Sequence, residues 1–113
     1  IIDAGMNDHI RTPLYGARHN ILPARKQSKS KNKFTEAGPI CESADYFDKK
    51  FPYGLEEGEL IVICSSGAYG FSMSSNYNAR LKPPEVLILN KKMKLIRKRE
   101  TFDDYISEEI GLD

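Results

Sequence analysis

Glu59-Leu60-Ile61-Val62-Ile63-Cys64-Ser65 is the most strongly apolar run in the chain, and its reading sets the fold class. An unbroken apolar run of this length, bounded by turn residues, predicts a β-strand packed on both faces. Cys64, at its end, reads as a core residue with no chemistry of its own. Leu55-Glu56-Glu57-Gly58 reads as the turn that delivers the chain into the strand. The stretch from Ser65 to Asn78 follows, small and hydroxyl-rich, with Gly67 and Gly70 close on either side of Tyr69. Glycines there let the backbone turn sharply and leave the ring unhindered. Such a loop after a buried strand suits the lining of a pocket. It is not a phosphate loop, because it has neither a Gly-Lys-Ser/Thr ending nor a dinucleotide fingerprint.

Toward the amino terminus, 44–58 is rich in Asp, Lys, Tyr and Phe, punctuated by Pro52 and Gly54, and reads as an irregular excursion. Before it stands Gly38-Pro39-Ile40-Cys41-Glu42-Ser43. Proline fixes its own φ and keeps the preceding residue out of the helical region, so Gly38-Pro39 ends a strand running from Phe34 to Ile40. Cys41, Glu42 and Ser43 then fall on an exposed loop. A free thiol is a proton donor at neutral pH, and a carboxylate beside it can hold a cation. That pair is unusual on a plain surface loop. The tip 26–33 holds Gln, Ser, Asn and Lys without one apolar residue, a flexible basic loop between two strands. Arg18 to Arg25 makes a short strand around Ile21 and Leu22. Met6 to Tyr15 reads as a helical or looped segment ending near Thr12-Pro13, with Arg11 and Tyr15 on one face. Ile1 to Gly5 looks like a strand already in progress with no initiator methionine, which points to a piece of a longer polypeptide.

Beyond the central strand, Pro84 to Asn90 and Met93 to Arg99 bracket a hairpin turn at Asn90-Lys91-Lys92. Thr101 with Asp104 resembles a capping box. Phe102, Tyr105, Ile106 and Ile110 follow at helical spacing, and Gly111 is the expected cap of a terminal helix that docks its apolar face. The chain is therefore expected to be one mainly β domain over residues 1–113, a small barrel or sandwich with short helices.

Composition narrows the function classes. Lys and Arg number 17 against 16 Asp and Glu, a net charge of +1. That balance gives no global case for nucleic acid or a membrane surface. Lys26, Lys29, Lys31 and Lys33 could contact phosphate, but no aromatic residue is interleaved among them. No apolar run nears the roughly 20 residues of a membrane helix, and no secretion leader opens the chain. Cys41, Cys64, His9 and His19 complete no metal set. The reducing cytoplasm is the expected compartment.

Four blocks carry a family resemblance: Asp3-Ala4-Gly5-Met6-Asn7-Asp8; Ile10-Arg11 with Pro13-Leu14-Tyr15-Gly16-Ala17; the Gly38-to-Ser43 block; and Gly67 to Met73 with Ser75-Asn76-Tyr77-Asn78. In this order they resemble the carboxy-terminal part of the diaminopimelate decarboxylases, as does Arg97-Lys98-Arg99-Glu100-Thr101. Cys-Glu-Ser favours them over the ornithine and arginine decarboxylases, which usually carry Cys-Asp. Two departures lie off these motifs: His9 stands where an apolar residue is usual, and 26–32 replaces a loop commonly bearing Pro or Gly.

The resemblance implies a pyridoxal-phosphate enzyme that decarboxylates meso-diaminopimelate to L-lysine, the last step of lysine biosynthesis. The cofactor supplies the electron sink, and the protein supplies orientation and a proton. Carried over residue by residue, Cys41 is the proton donor, Arg11 the binder of the distal carboxylate and Glu42 the partner of the distal ammonium. Tyr15 and Tyr69 are further substrate contacts, Tyr69 also touching the cofactor. The resemblance also implies a preceding (β/α)₈ barrel, absent here, that carries the cofactor lysine and phosphate site. Lys49, Lys50, Lys91 and Lys92, read as turn or loop residues, offer no motif for capturing the cofactor. It implies a homodimer with Cys41 and its neighbours reaching into the partner's site, so the fragment alone is expected to be inactive. The rival readings are a non-catalytic dimerising module, a related basic amino-acid decarboxylase, and a β-barrel binding nucleic acid through Lys26 to Lys33.

Overall fold

The computed structural model describes residues 1–111. They divide into two compact units, Ile1–Ser74 and a second beginning at Ser75. In the first unit lie α1 (Arg11–Tyr15), β1 (Ile21–Pro23), β2 (Phe34–Ala37), β3 (Tyr46–Phe51) and β4 (Ile61–Ile63). β1 runs antiparallel to β4 with Ile21 opposite Ile63. β2 runs antiparallel to β3 with Phe34 opposite Phe51 and Glu36 opposite Asp48, and the register shifts on both sides of Glu36. Ile21, Phe47 and Phe51 form the buried core, with Ile2, Tyr53, Leu55, Ile61 and Ile63 packed around it. Each such side chain contributes roughly 1.5–3 kcal/mol when fully buried. The Phe51 and Tyr53 rings meet edge to face, 5.3 Å between centroids.

Several local expectations are corrected here. The central strand packs on one face only: Ile61 and Ile63 are half-buried, while Val62 is exposed. It is a three-residue strand in a two-stranded ladder. The supposed irregular stretch contains β3, whose inward Phe47 and Phe51 are buried while Lys49 and Lys50 are exposed. Those lysines are thus strand residues, as is Lys92 in the second unit. Ile1 to Gly5 forms no strand, although the Ile2 N–H donates to the Ala37 carbonyl at 2.9 Å. Pro13 sits inside α1 rather than ending it. As the third helical residue it lacks only an N–H that would have no intrahelical partner. Gly16, at φ 68°, closes the helix in the left-handed conformation. The basic stretch 26–33 joins β1 to β2, which belong to different ladders, so it is not a hairpin tip.

The second unit holds a 3-10 turn (Tyr77–Ala79), β5 (Glu85–Leu89), β6 (Lys92–Arg97) and α2 (Phe102–Tyr105). β5 and β6 form the expected hairpin, with Val86 opposite Leu95 and Ile88 opposite Met93. Its turn places both Asn90 and Lys91 at positive φ, 49° and 61°, as a type I′ turn requires. Glu100 ties the unit together: its carboxylate accepts from Asn76 Nδ2 at 2.5 Å and from the Lys82 N–H at 2.9 Å. The capping box is present, the Thr101 hydroxyl accepting the Asp104 N–H and the Asp104 carboxylate accepting the Thr101 N–H. Lys98, then Thr101, hold the Asp104 carboxyl down to about 2. The helix does not run on to Gly111. Ser107 turns its hydroxyl onto the Asp104 carbonyl at 2.8 Å, competing for the backbone where the helix ends. Phe102 and Ile110 remain exposed.

The chain is mainly β with short helices. Among the described residues the strands pair two by two in three antiparallel ladders rather than closing into a barrel. No described helix is long and apolar enough to cross a membrane.

Candidate functional site

The loop between β2 and β3 is built on the buried side chain of Asp45. Asp45 is 3% exposed, and its Oδ1 accepts the Met6 N–H at 2.6 Å while its Oδ2 accepts the Ile40 N–H at 2.7 Å. Its own backbone closes the loop, the carbonyl accepting from the Gly38 N–H at 2.9 Å and the N–H donating to the Glu42 carbonyl at 3.0 Å. A Cβ at Gly38 would fall inside the Asp45 carboxylate, so glycine there leaves the carboxylate its place. Ile40 points inward, 6% exposed, and Cys41, Glu42 and Ser43 stand out into solvent. The Ser43 hydroxyl lies 3.4 Å from Glu42 Oε1. Buried frame and exposed tip are what a rigid presenting loop needs.

Met6 belongs to the turn that leads into α1. The Asp8 and His9 N–H groups both donate to the Gly5 carbonyl, at 2.9 and 3.1 Å. A Cβ at Gly5 would come within 3.0 Å of the Ile40 side chain, so this turn and the Cys41 loop are pressed together. Arg11 opens α1 and places its guanidinium carbon 5.6 Å from the centroid of the Tyr69 ring. Tyr69 is 64% exposed and sits at φ 64° between its two glycines. A Cβ on Gly70 would strike the Ser66 carbonyl, so the tight turn predicted from the glycines is real. Tyr15, at the far end of α1, is equally exposed. The structure thus brings Arg11 and Tyr69 together, and carries Cys41 and Glu42 on one tip tied to the turn before Arg11. No hydrogen bond or ring contact joins Tyr15 to the other four.

Beneath this surface His9, 5% exposed, meets His19 edge-on at 4.3 Å and stacks on Phe47 at 6.2 Å. Burial, and then the nearby charges of His19 and Arg11, push its pKa down. The His19 Nδ1 lies 2.9 Å from the Cys64 carbonyl, which fixes that nitrogen as the protonated one. No group of three or more His, Cys, Asp or Glu able to hold a metal occurs among the described residues.

Residues 1–67 match the family model described as the pyridoxal-dependent decarboxylase C-terminal sheet domain. The chain belongs to the pyridoxal-dependent decarboxylase family. Among its relatives, the diaminopimelate decarboxylase of Aquifex aeolicus is 46% identical over 110 residues, covering 96% of this chain and 26% of the relative. That of Vibrio cholerae is 46% identical over 100 residues, covering 88% of this chain and 24% of the relative. The solved Helicobacter pylori diaminopimelate decarboxylase, in complex with L-lysine, superposes with a TM-score of 0.85 at 44% identity, covering 95% of this chain and 27% of that one. The chain therefore spans about a quarter of the length of the curated relatives it matches.

Pyridoxal phosphate, the cofactor implied by this decarboxylase family, finds part of a fit in these residues. The open Tyr69 ring can flank a planar group, and the positive fork of Arg11 lies next to it. No shielded amine accompanies them: among the described lysines only Lys82 is even half-buried. The frame residue Asp45 escaped the motif reading of the site. A hydrogen bond across 39 residues has no local sequence signal.

Proposed function

We propose that this chain is the carboxy-terminal domain, residues 1–113, of a diaminopimelate decarboxylase, forming the wall that holds substrate and delivers the proton. The observation that carries the reading is the exposed Cys41-Glu42 tip, held on a buried frame and pinned to the turn that precedes Arg11. Free, exposed Cys41 offers its Sγ proton to the carbon from which the carboxylate leaves. A positioned acid of this kind contributes typically about 10²–10⁴-fold. Arg11 takes the distal carboxylate with its planar fork, for which it need only swing off the Tyr69 face. Glu42 pairs with the distal ammonium, so neither charge of that zwitterionic end is buried alone. Tyr15 and Tyr69 flank the substrate, Tyr69 also touching the cofactor. When bound, pyridoxal phosphate would supply the sink for the electron pair left on carbon as carbon dioxide departs.

The same reading carries a cytoplasmic homodimer, with the tip of each chain reaching the partner's site. Free thiols at Cys41 and Cys64 suit a reducing compartment. In the full-length enzyme Cys41→Ala should lower kcat toward diaminopimelate by roughly 10²-fold or more with little change in KM, because proton donation acts in the transition state. A kcat unchanged by the substitution would overturn the assignment.

A further inference from the structure

We infer that Asp45 is a positioning residue for Cys41, acting through the backbone of the loop that carries the thiol. The inference rests on the reading of Cys41 as proton donor. A buried carboxylate is costly unless its oxygens are satisfied. Here each oxygen takes a backbone N–H, from Met6 at 2.6 Å and from Ile40 at 2.7 Å, and Ile40 is the residue directly before Cys41. Hydrogen bonds to an ionised acceptor are the stronger kind. The backbone of Asp45 takes the other two, to Gly38 and Glu42, so one residue fixes both ends and the tip of the 38–45 loop.

Among the described residues, no side chain other than that of Asp45 hydrogen-bonds to the backbone of residues 40–43. Cys41 and Ser43 are exposed, and the Glu42 N–H bonds only to the Ile40 carbonyl two residues back, at 2.8 Å. The Met6 bond also sets where this loop stands against the turn before Arg11. Asp45 is buried, so it acts on the reaction only through the backbone it holds, that of the Cys41 loop first. Asparagine in its place keeps the shape but exchanges one acceptor oxygen for an NH₂ that cannot accept. One of the two N–H groups then loses its partner, and the tip is freed to drift.

The test is a double-mutant cycle in the full-length enzyme loaded with pyridoxal phosphate, reading kcat for diaminopimelate. Asp45→Asn alone should lower kcat roughly 10- to 100-fold, the cost of a misplacement of about 1 Å. In a Cys41→Ala background the same substitution should cost less than about threefold, since there is no longer a thiol to misplace. A merely structural Asp45 would cost the same in both backgrounds, and that result overturns the proposal. If Cys41→Ala by itself leaves kcat unchanged, it is the proton-donor reading that fails, which is a separate result. Gly38→Ala provides a second route should Asp45→Asn fold poorly. Its methyl group displaces the carboxylate with Asp45 still in place, and it should show the same dependence on Cys41.

Discussion

In the proposed site Arg11 and Glu42 would divide the work of recognition by charge, and single substitutions separate them. In the full-length enzyme Arg11→Met and Glu42→Gln should each raise KM for diaminopimelate by roughly 10- to 100-fold, each leaving one charge of the distal head without its partner. Lysine, which lacks the distal carboxylate, should lose much less binding on Arg11→Met; equal losses for both ligands would make Arg11 structural. Two buried side chains nearby set opposite pH dependences of stability. Burial, reinforced by the Asp48 carboxylate opposite, pushes Glu36 up to about 7. Its folded form holds a proton that the unfolded chain releases from about pH 4.5. That stability is complete below pH 4.5 and is lost as the pH rises to 7. Glu36→Gln should therefore raise the melting temperature more at pH 8 than at pH 5, by an amount worth at most about 3 kcal/mol. His9 works the other way. Its lowered pKa means that the unfolded chain takes up the proton first as the pH falls through 6.5, and stability falls with it. His9→Leu should remove that acid-side loss, which melting curves at pH 5 and 7 would show as a larger gain at pH 5.

Among the elements, the β5–β6 hairpin carries the most local instruction and was the most legible. Asn90-Lys91 between two apolar runs predicts a turn, and both residues do sit at positive φ. Glycine accepts that conformation without the steric cost lysine meets. Lys91→Gly should stabilise the hairpin by about 0.5–1 kcal/mol in a denaturant titration, and a loss would show that Lys91 makes a contact the turn needs. The capping box at Thr101 was equally legible, because the pattern is complete within four residues. The helix after it was overextended: helical spacing at Ile106 and Ile110 cannot reveal that Ser107 takes the Asp104 carbonyl. β3 stayed hidden because Asp48, Lys49 and Lys50 mask a strand defined by Phe47 and Phe51. The one-faced packing of Ile61 to Ile63 depends on which layers are present, and no run of residues states that. The candidate site was legible through its motifs, Cys41-Glu42-Ser43 and the glycines around Tyr69. Its frame was not, since Asp45 reaches Met6 through a fold that brings distant backbone together.

At the scale of the whole molecule, apolar side chains stand open to solvent in each of the two units. Val86, Ile88, Met93 and Leu95 form two cross-strand apolar pairs on the hairpin, all exposed. Leu60, Val62 and Tyr69 are exposed in the first unit. Soluble monomers rarely leave contiguous apolar patches of this kind open, and a two-stranded hairpin is marginal in water on its own. The relatives are about four times as long, this chain being 26% of the Aquifex protein. The proposed site has the same incompleteness: a proton donor, a carboxylate binder and two tyrosines, without a shielded amine to hold the cofactor. Covalent capture of a carbonyl cofactor needs a shielded amine, and among the described lysines all but half-buried Lys82 are exposed. The isolated chain should therefore show no decarboxylation of diaminopimelate and no new absorbance when mixed with pyridoxal phosphate. It should bind a hydrophobic dye and melt over a broad range. Adding a separately produced amino-terminal part of the enzyme should suppress the dye signal and restore lysine formation, and Cys41→Ala in the added chain should abolish that restoration. Lysine formation by the isolated chain, before any mixing, would show that the site is complete without the remainder.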